Sequence, residues 1–148
     1  MTALHLATPE DLPRLLPLVN AFHEEFGLRT TEEMREGALT PLLEGSPHGA
    51  AWIIGPTRAP IGYVIIAFGW SIEFGGMDGF VDELYIRPSV RGRGIGSDVM
   101  LTLPKELAGA GLRALHMEVL TSDVRAQDTY RRAGFVPRER YMLMTRRF

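Results

Sequence analysis

The chain has 148 residues, 45% of them hydrophobic, with a formal net charge of -2: enough for one domain with a proper core and too few for two. That charge gives no drive toward nucleic acid, and the absence of cysteine excludes disulfides, thiolate metal sites and a cysteine nucleophile. The longest apolar run, around Tyr63 to Phe68, is far too short to span a bilayer, and Met1-Thr2-Ala3-Leu4-His5 lacks the basic residue and apolar block of a signal peptide, so a cytoplasmic protein with no membrane partner is expected.

In chain order, Leu4 to Ala7 reads as a short first strand. Thr8-Pro9-Glu10-Asp11 then has the composition of a helix start, with Thr8 as N-cap. Leu12, Leu15, Leu16, Val19 and Phe22 come next at helical spacing, with Pro17 the residue able to bend that helix. The same periodicity predicts a second helix from about Thr31 to Leu43. Ala50 to Ile54 and Ile61 to Phe68 are two strands joined by a turn-rich loop, as in an antiparallel hairpin. Phe80 to Ile86, rich in aromatic and β-branched residues and cut off by Pro88, is the next strand. A helix beginning near Gly94 and containing Pro104, a strand from Ala114 to Val119, a helix from Val124 to Ala133 and a terminal strand or hairpin over Phe135 to Thr145 complete the order. This succession predicts a single domain over residues 1–148 with a mixed sheet covered by helices on both faces.

The junction at Arg91-Gly92-Arg93-Gly94-Ile95-Gly96-Ser97 carries the chemistry. Glycines there let the backbone approach a ligand, and the first turn of the helix offers unpaired N–H groups at the positive end of its dipole, so a phosphate is the natural guest. A Walker loop would need lysine after the last glycine, and a dinucleotide fingerprint would need its third glycine where Ser97 stands; both readings fall.

The remaining match is to motif A of the GNAT superfamily of N-acetyltransferases, which the junction resembles: Arg91, two residues, Gly94, one residue, Gly96, after a strand that ends at Pro88. Downstream, Ala126, Tyr130 and Gly134-Phe135 resemble the family's closing helix-to-strand element. The resemblance implies an α/β (mixed α+β) fold with a mostly antiparallel sheet of about six to seven strands, a splay between the fourth and fifth, and about four helices. It also implies acetyl-CoA as cofactor, its pantetheine arm lying as a surrogate strand against the backbone of Leu84, Tyr85 and Ile86. The pyrophosphate would rest on the amides of Arg91, Gly92, Arg93, Gly94, Ile95, Gly96 and Ser97, with Asp123 and Ala126 as further cofactor contacts. Where the family usually has asparagine this chain has Asp123, which has the chemistry of a plain helix cap.

An amine must lose a proton before it attacks a thioester, so a base or a desolvating environment is required. Glu83 resembles the family position that holds a deprotonating glutamate, directly or through water; Asp82 should face the other side by strand alternation. The alternative is that both are surface acids. Tyr130 resembles the tyrosine that protonates the departing CoA thiolate, a task suited to a phenol that is protonated at neutral pH; the alternative is a core tyrosine held by its ring. His116 and Glu118 are expected to be structural or surface residues, and the four dispersed histidines make no metal-ligand set. By resemblance the acceptor meets the end of the first helix and the segment before the central strand, where Glu24, Phe26, Trp70 and Glu73 could hold a cationic amine or simply form a solvated acidic face. Two functions stand: an N-acetyltransferase acting on a primary amine of a small molecule or peptide, and a catalytically silent acyl-CoA-binding module on the same fold. Tyr141-Met142-Leu143-Met144 also permits a homodimer through a sheet edge or the C-terminal strand.

Overall fold

The computed structural model describes residues 2–148. Among them five strands and four α-helices occur in the order β1 (Leu4–Leu6), α1 (Leu12–Glu25), α2 (Glu32–Leu43), β2 (Gly49–Ile54), β3 (Gly62–Ser71), β4 (Gly76–Ile86), α3 (Ile95–Gly109), β5 (Ala114–Met117) and α4 (Val124–Arg132). The chain divides into two units, one ending at Glu118 and one spanning residues 119–148.

The first unit holds the whole sheet, ordered β1-β2-β3-β4-β5. The first four strands pair antiparallel, and β5 joins β4 in parallel through the α3 crossover. β3 and β4 reach further than the sequence suggests, Ser71 pairing with Gly76 across a four-residue tip, because a ladder once started continues while its partner lies opposite. Residues opposite each other share a face. Tyr63, Ile65, Glu83 and Tyr85 therefore look to one side, and Val64, Ile66, Val81 and Leu84 to the other.

The first side carries the main core. Leu15, Leu18 and Val19 of α1 and Leu39 and Leu43 of α2 bury themselves on Ala51, Ile53, Tyr63, Ile65 and Tyr85. Burial of a side chain of this size is worth about 1.5–3 kcal/mol, so this layer sets the position of α1 firmly. Val99, Met100 and Leu103 of α3 are buried on the opposite side with Val64 and Ile66. Helices thus cover both faces of the sheet within this unit. Pro17 and Pro104 sit inside α1 and α3, which run through them without interruption in their spans.

The start of α1 is held by Asp11. Its Oδ2 accepts from the Thr8 amide at 2.8 Å and the Thr8 hydroxyl at 3.2 Å, and its Oδ1 from Arg14 at 3.2 Å. Burial alone would raise this carboxyl's pKa; the Thr8 donors and the Arg14 charge outweigh it and hold it below the ordinary carboxylate value. A folded pKa below the unfolded one means stability that is present above about pH 4 and lost as pH falls through the depressed folded value. Asp11→Ala is expected to cost about 1 kcal/mol in urea unfolding at neutral pH, and the gap from wild type should close as the pH is taken down through that range.

The second unit contains α4 and a C-terminal stretch, 135–148, without strand. The expected terminal strand or hairpin over Phe135 to Thr145 is therefore absent, and the sheet has five strands rather than six or seven. Pro137 lacks an amide donor, and this unit contains no strand with which residues 138–148 could pair. Tyr141, Met142, Leu143 and Met144 are exposed.

Candidate active site

β5 leaves β4 early. Their parallel register runs from Asp78↔Ala114 to Val81↔Met117, while β4 continues to Ile86 paired only with β3. The edge from Asp82 to Ile86 is thus open on the β5 side, at the place where a splay is expected and where Leu84, Tyr85 and Ile86 lie. The opening coincides with a β-bulge: Ile65 faces Glu83 while its neighbour Ile66 faces Val81, leaving Asp82 as an extra residue. At this bulge strand alternation alone does not set the side of Asp82, and both Asp82 and Glu83 lie near enough to the His23 ring for a proton on it to act on them.

Glu83 is tightly held. Its Oε1 accepts from the Tyr63 hydroxyl at 2.7 Å and its Oε2 lies 2.6 Å from His23 Nε2. The side chains of His23 and Glu83 are each 11% exposed, which leaves the carboxylate reachable but shielded. Burial pushes its pKa above the ordinary carboxylate range against the lowering pull of Tyr63 and His23, the direction that suits a general base working near neutral pH. Tyr63 is fully buried, with its own pKa driven far upward by burial and by the Glu83 charge, so it remains a donor throughout the working range.

The loop after β4 has the backbone expected of an anion cradle. Gly92 and Gly94 take φ of 78° and 77°, and Gly94 is the N-cap of α3. A Cβ built at Gly92, Gly94 or Gly96 meets nothing within 4 Å, so the glycines leave open space beside the first-turn amides of α3, the kind of site that suits an anion. The Arg91 side chain points elsewhere: it forms a fork to Glu25 at 2.8 and 3.0 Å, donates from Nε to the Ile86 carbonyl at 2.8 Å and lies over the Tyr85 ring. Gly94→Ala is expected to strain the left-handed N-cap by about 1–2 kcal/mol and to place a methyl in the anion's path. Calorimetry should show acetyl-CoA affinity falling at least tenfold, with a modest drop in melting temperature.

In the second unit, Asp123 caps α4 by accepting from the Ala126 amide at 3.0 Å, so these two residues engage each other. The helix ends as Ala133-Gly134-Phe135 predicts: Gly134 is left-handed at φ 98°, and the Phe135 amide returns to the Tyr130 carbonyl at 3.0 Å. The Tyr130 and Phe135 rings meet edge-on at 6.2 Å. Burial, with the nearby Asp123 charge, raises the Tyr130 phenol above its ordinary pKa and keeps it protonated at neutral pH.

The expected acceptor residues lie at the surface of the first unit. Glu24 and Glu73 are exposed, Phe26 is half exposed beside Phe22, and Trp70 is 73% exposed. On the face that carries Glu83, the small exposed residues Ala67 and Gly69 form an open floor. At its far end His116 Nε2 lies 3.1 Å from Asp78 Oδ2, with the Phe74 ring alongside. His23, Tyr63 and Thr30 were not singled out by sequence reasoning. A signal did exist for His23: it continues the α1 stripe of Leu15, Val19 and Phe22, and a polar side chain on a buried stripe requires a partner in the sheet.

Comparisons with known proteins agree with this geometry. The family model described as the acetyltransferase (GNAT) family matches residues 15–135. The integron cassette protein HFX_CASS3 from the mobile metagenome of Cole Harbour Salt Marsh is 32% identical, with 97% of this chain and 89% of that one covered and a TM-score of 0.82. The structure of AAC(6')-Iy in complex with the bisubstrate analogue CoA-S-monomethyl-acetylneamine shares the fold at 14% identity, covering 100% and 99% with a TM-score of 0.78. A thialysine N-epsilon-acetyltransferase of Bos taurus is 30% identical over 74 residues, which is 50% of this chain and 43% of that relative. With the glycine cradle, the splayed strand and a family match over most of its length, the chain belongs to the GNAT family of acetyltransferases.

Proposed function

We propose that the chain is an acetyl-CoA-dependent N-acetyltransferase, one domain over residues 1–148, that transfers acetyl directly to a primary amine of a small molecule or peptide. The observation that carries this reading is the placement of Glu83. It is an oriented carboxylate with a raised pKa, on the strand whose open edge leads into the glycine cradle.

The roles come from the groups themselves. The amides of the cradle and the first turn of α3 hold the pyrophosphate, and the free edge at Leu84 to Ile86 pairs with the amides of the pantetheine arm. The amine approaches along the Ala67–Gly69 floor, and Glu83 takes its proton, directly or through one water. Tyr130 gives a proton to the departing thiolate. The acids Glu24 and Glu73 and the Phe26 ring select a cationic acceptor through charge and cation–π contact; Trp70, opposite Met77, falls on the other face of β3 from Ala67 and Gly69 and stands apart from this floor. The bovine relative's name points to an amine of the thialysine type. A homodimer through a sheet edge or the exposed Tyr141–Met144 stretch accords with the apolar surface there.

The test is thiol release from acetyl-CoA over a panel of thialysine, polyamines, aminoglycosides and short peptides. Turnover on one class is expected. Tight acetyl-CoA binding with no turnover on any amine would favour a silent acyl-CoA-binding module.

A further inference from the structure

We propose that His23 is a positioning residue for Glu83: it donates from Nε2 to the carboxylate in a tautomer fixed by Thr30 and Arg35, holding Glu83 ionised and aimed at the acceptor. This rests on the reading of Glu83 as the base.

The hydrogen-bond directions are dictated by the partners. Arg35 has no acceptor, so its Nε–H donates to Thr30 Oγ1 at 3.0 Å. The guanidinium is itself anchored on Asn20 Oδ1 at 2.6 Å and the Thr30 carbonyl at 3.1 Å. Thr30 Oγ1 lies 2.8 Å from His23 Nδ1, and in the proposed arrangement the Thr30 hydroxyl gives its hydrogen to that nitrogen. His23 Nε2 then carries the ring proton toward Glu83 Oε2 at 2.6 Å. The opposite tautomer would set a lone pair of Nε2 against an ionised carboxylate at that distance, acceptor against acceptor. The chain from Arg35 through Thr30 to His23, and Tyr63 from the other side, ends on one carboxylate.

The backbone supports the same arrangement. The Leu28 amide returns to the His23 carbonyl at 2.9 Å and the Thr30 amide to the Leu28 carbonyl at 3.0 Å, so the turn between α1 and α2 is built to present Thr30 to the ring. The other charged and titratable groups facing the pair are Asp82 on the bulge, whose charge opposes ionisation of Glu83, and Tyr63 and Tyr85 on the strands. Glu25, two residues beyond His23, is engaged by Arg91. His23 is the one group in this set that can both donate to Glu83 and be fixed from behind. Loss of His23 should free Glu83 to rotate and raise its pKa further, whereas glutamine, whose amide nitrogen reaches about where Nε2 stands, should restore the donor.

The test uses the full chain. Wild type, His23→Ala, His23→Gln and Thr30→Val are labelled for NMR to read the His23 tautomer and the titration of the Glu83 carboxyl, and are assayed for acetyl transfer to thialysine, spermidine and kanamycin. Expected are an Nε2–H tautomer, an upward shift of Glu83 titration in His23→Ala, and a tenfold or greater fall in kcat with acetyl-CoA KM unchanged. The acid limb of the pH profile should move to higher pH, with recovery in His23→Gln and no further loss when His23→Ala is added to Glu83→Gln. An Nδ1–H tautomer, or identical Glu83 titration in wild type and His23→Ala, overturns the proposal whether or not an acceptor turns over. Full activity in Glu83→Gln would instead remove the base reading, and the two failures are read by different signals.

Discussion

Glu83→Gln is expected to lower kcat about a hundredfold or more, the usual contribution of a positioned general base, while leaving acetyl-CoA affinity near wild type. The substitution is nearly isosteric, but an amide cannot take a proton from the attacking amine. It also turns one end of the group from acceptor to donor. With the glutamine oxygen kept toward Tyr63, its nitrogen faces His23 Nε2, and that contact survives only if His23 gives up the Nε2 proton for the other tautomer. The pH dependence has a definite sign: burial raises the Glu83 pKa above the ordinary carboxylate value, so kcat/KM should fall as pH drops through that raised value, while Glu83→Gln should lose this limb. Steady-state rates from about pH 5 to pH 9 with a saturating amine check both points. Activity within a factor of about three of wild type, with the same acid limb, would transfer the role to Asp82 or to water.

Tyr130→Phe is expected to reduce kcat by about two orders of magnitude, again the scale of a general acid. Phenylalanine keeps the ring contact with Phe135 and the main-chain bond that closes the helix, so the change removes a proton donor and little packing. The phenol is fit for the role because burial and the Asp123 charge hold it protonated well past neutrality. Rates measured with acyl donors of differing thiol acidity make the test sharper. The defect should shrink as the leaving thiol becomes more acidic and needs a proton less. A uniform defect across donors would assign Tyr130 to binding or packing.

The parts of the fold that were readable from the sequence are those whose causes are local. The glycine pattern before Ser97, the Asp123 cap and the Ala-Gly-Phe helix ending are settled by dihedral freedom and nearby hydrogen bonds, and α2 begins one residue after its Thr31 cap. The features that escaped depend on partners far along the chain. His23 and Glu83 are 60 residues apart and Glu25 and Arg91 are 66 apart, and helical periodicity alone cannot say which strand receives a polar side chain. The bulge at Asp82 removes the premise of the alternation argument there, because a period of two assumes an unbroken ladder. The terminal strand failed for the related reason that Tyr141 to Met144 has the composition of a strand but no ladder to join within its unit. Composition supplies a propensity; pairing supplies the strand.

Isothermal calorimetry with acetyl-CoA, followed by thiol release from the same preparation on the amine panel, tests the acetyltransferase assignment at its root. Saturable one-site binding that weakens in Gly94→Ala is expected, with turnover on one class of primary amine that collapses in Glu83→Gln and Tyr130→Phe. Absence of acetyl-CoA binding by the wild-type chain would contradict the assignment, since the cradle, the open strand edge and the placement of Glu83 would then serve no common ligand.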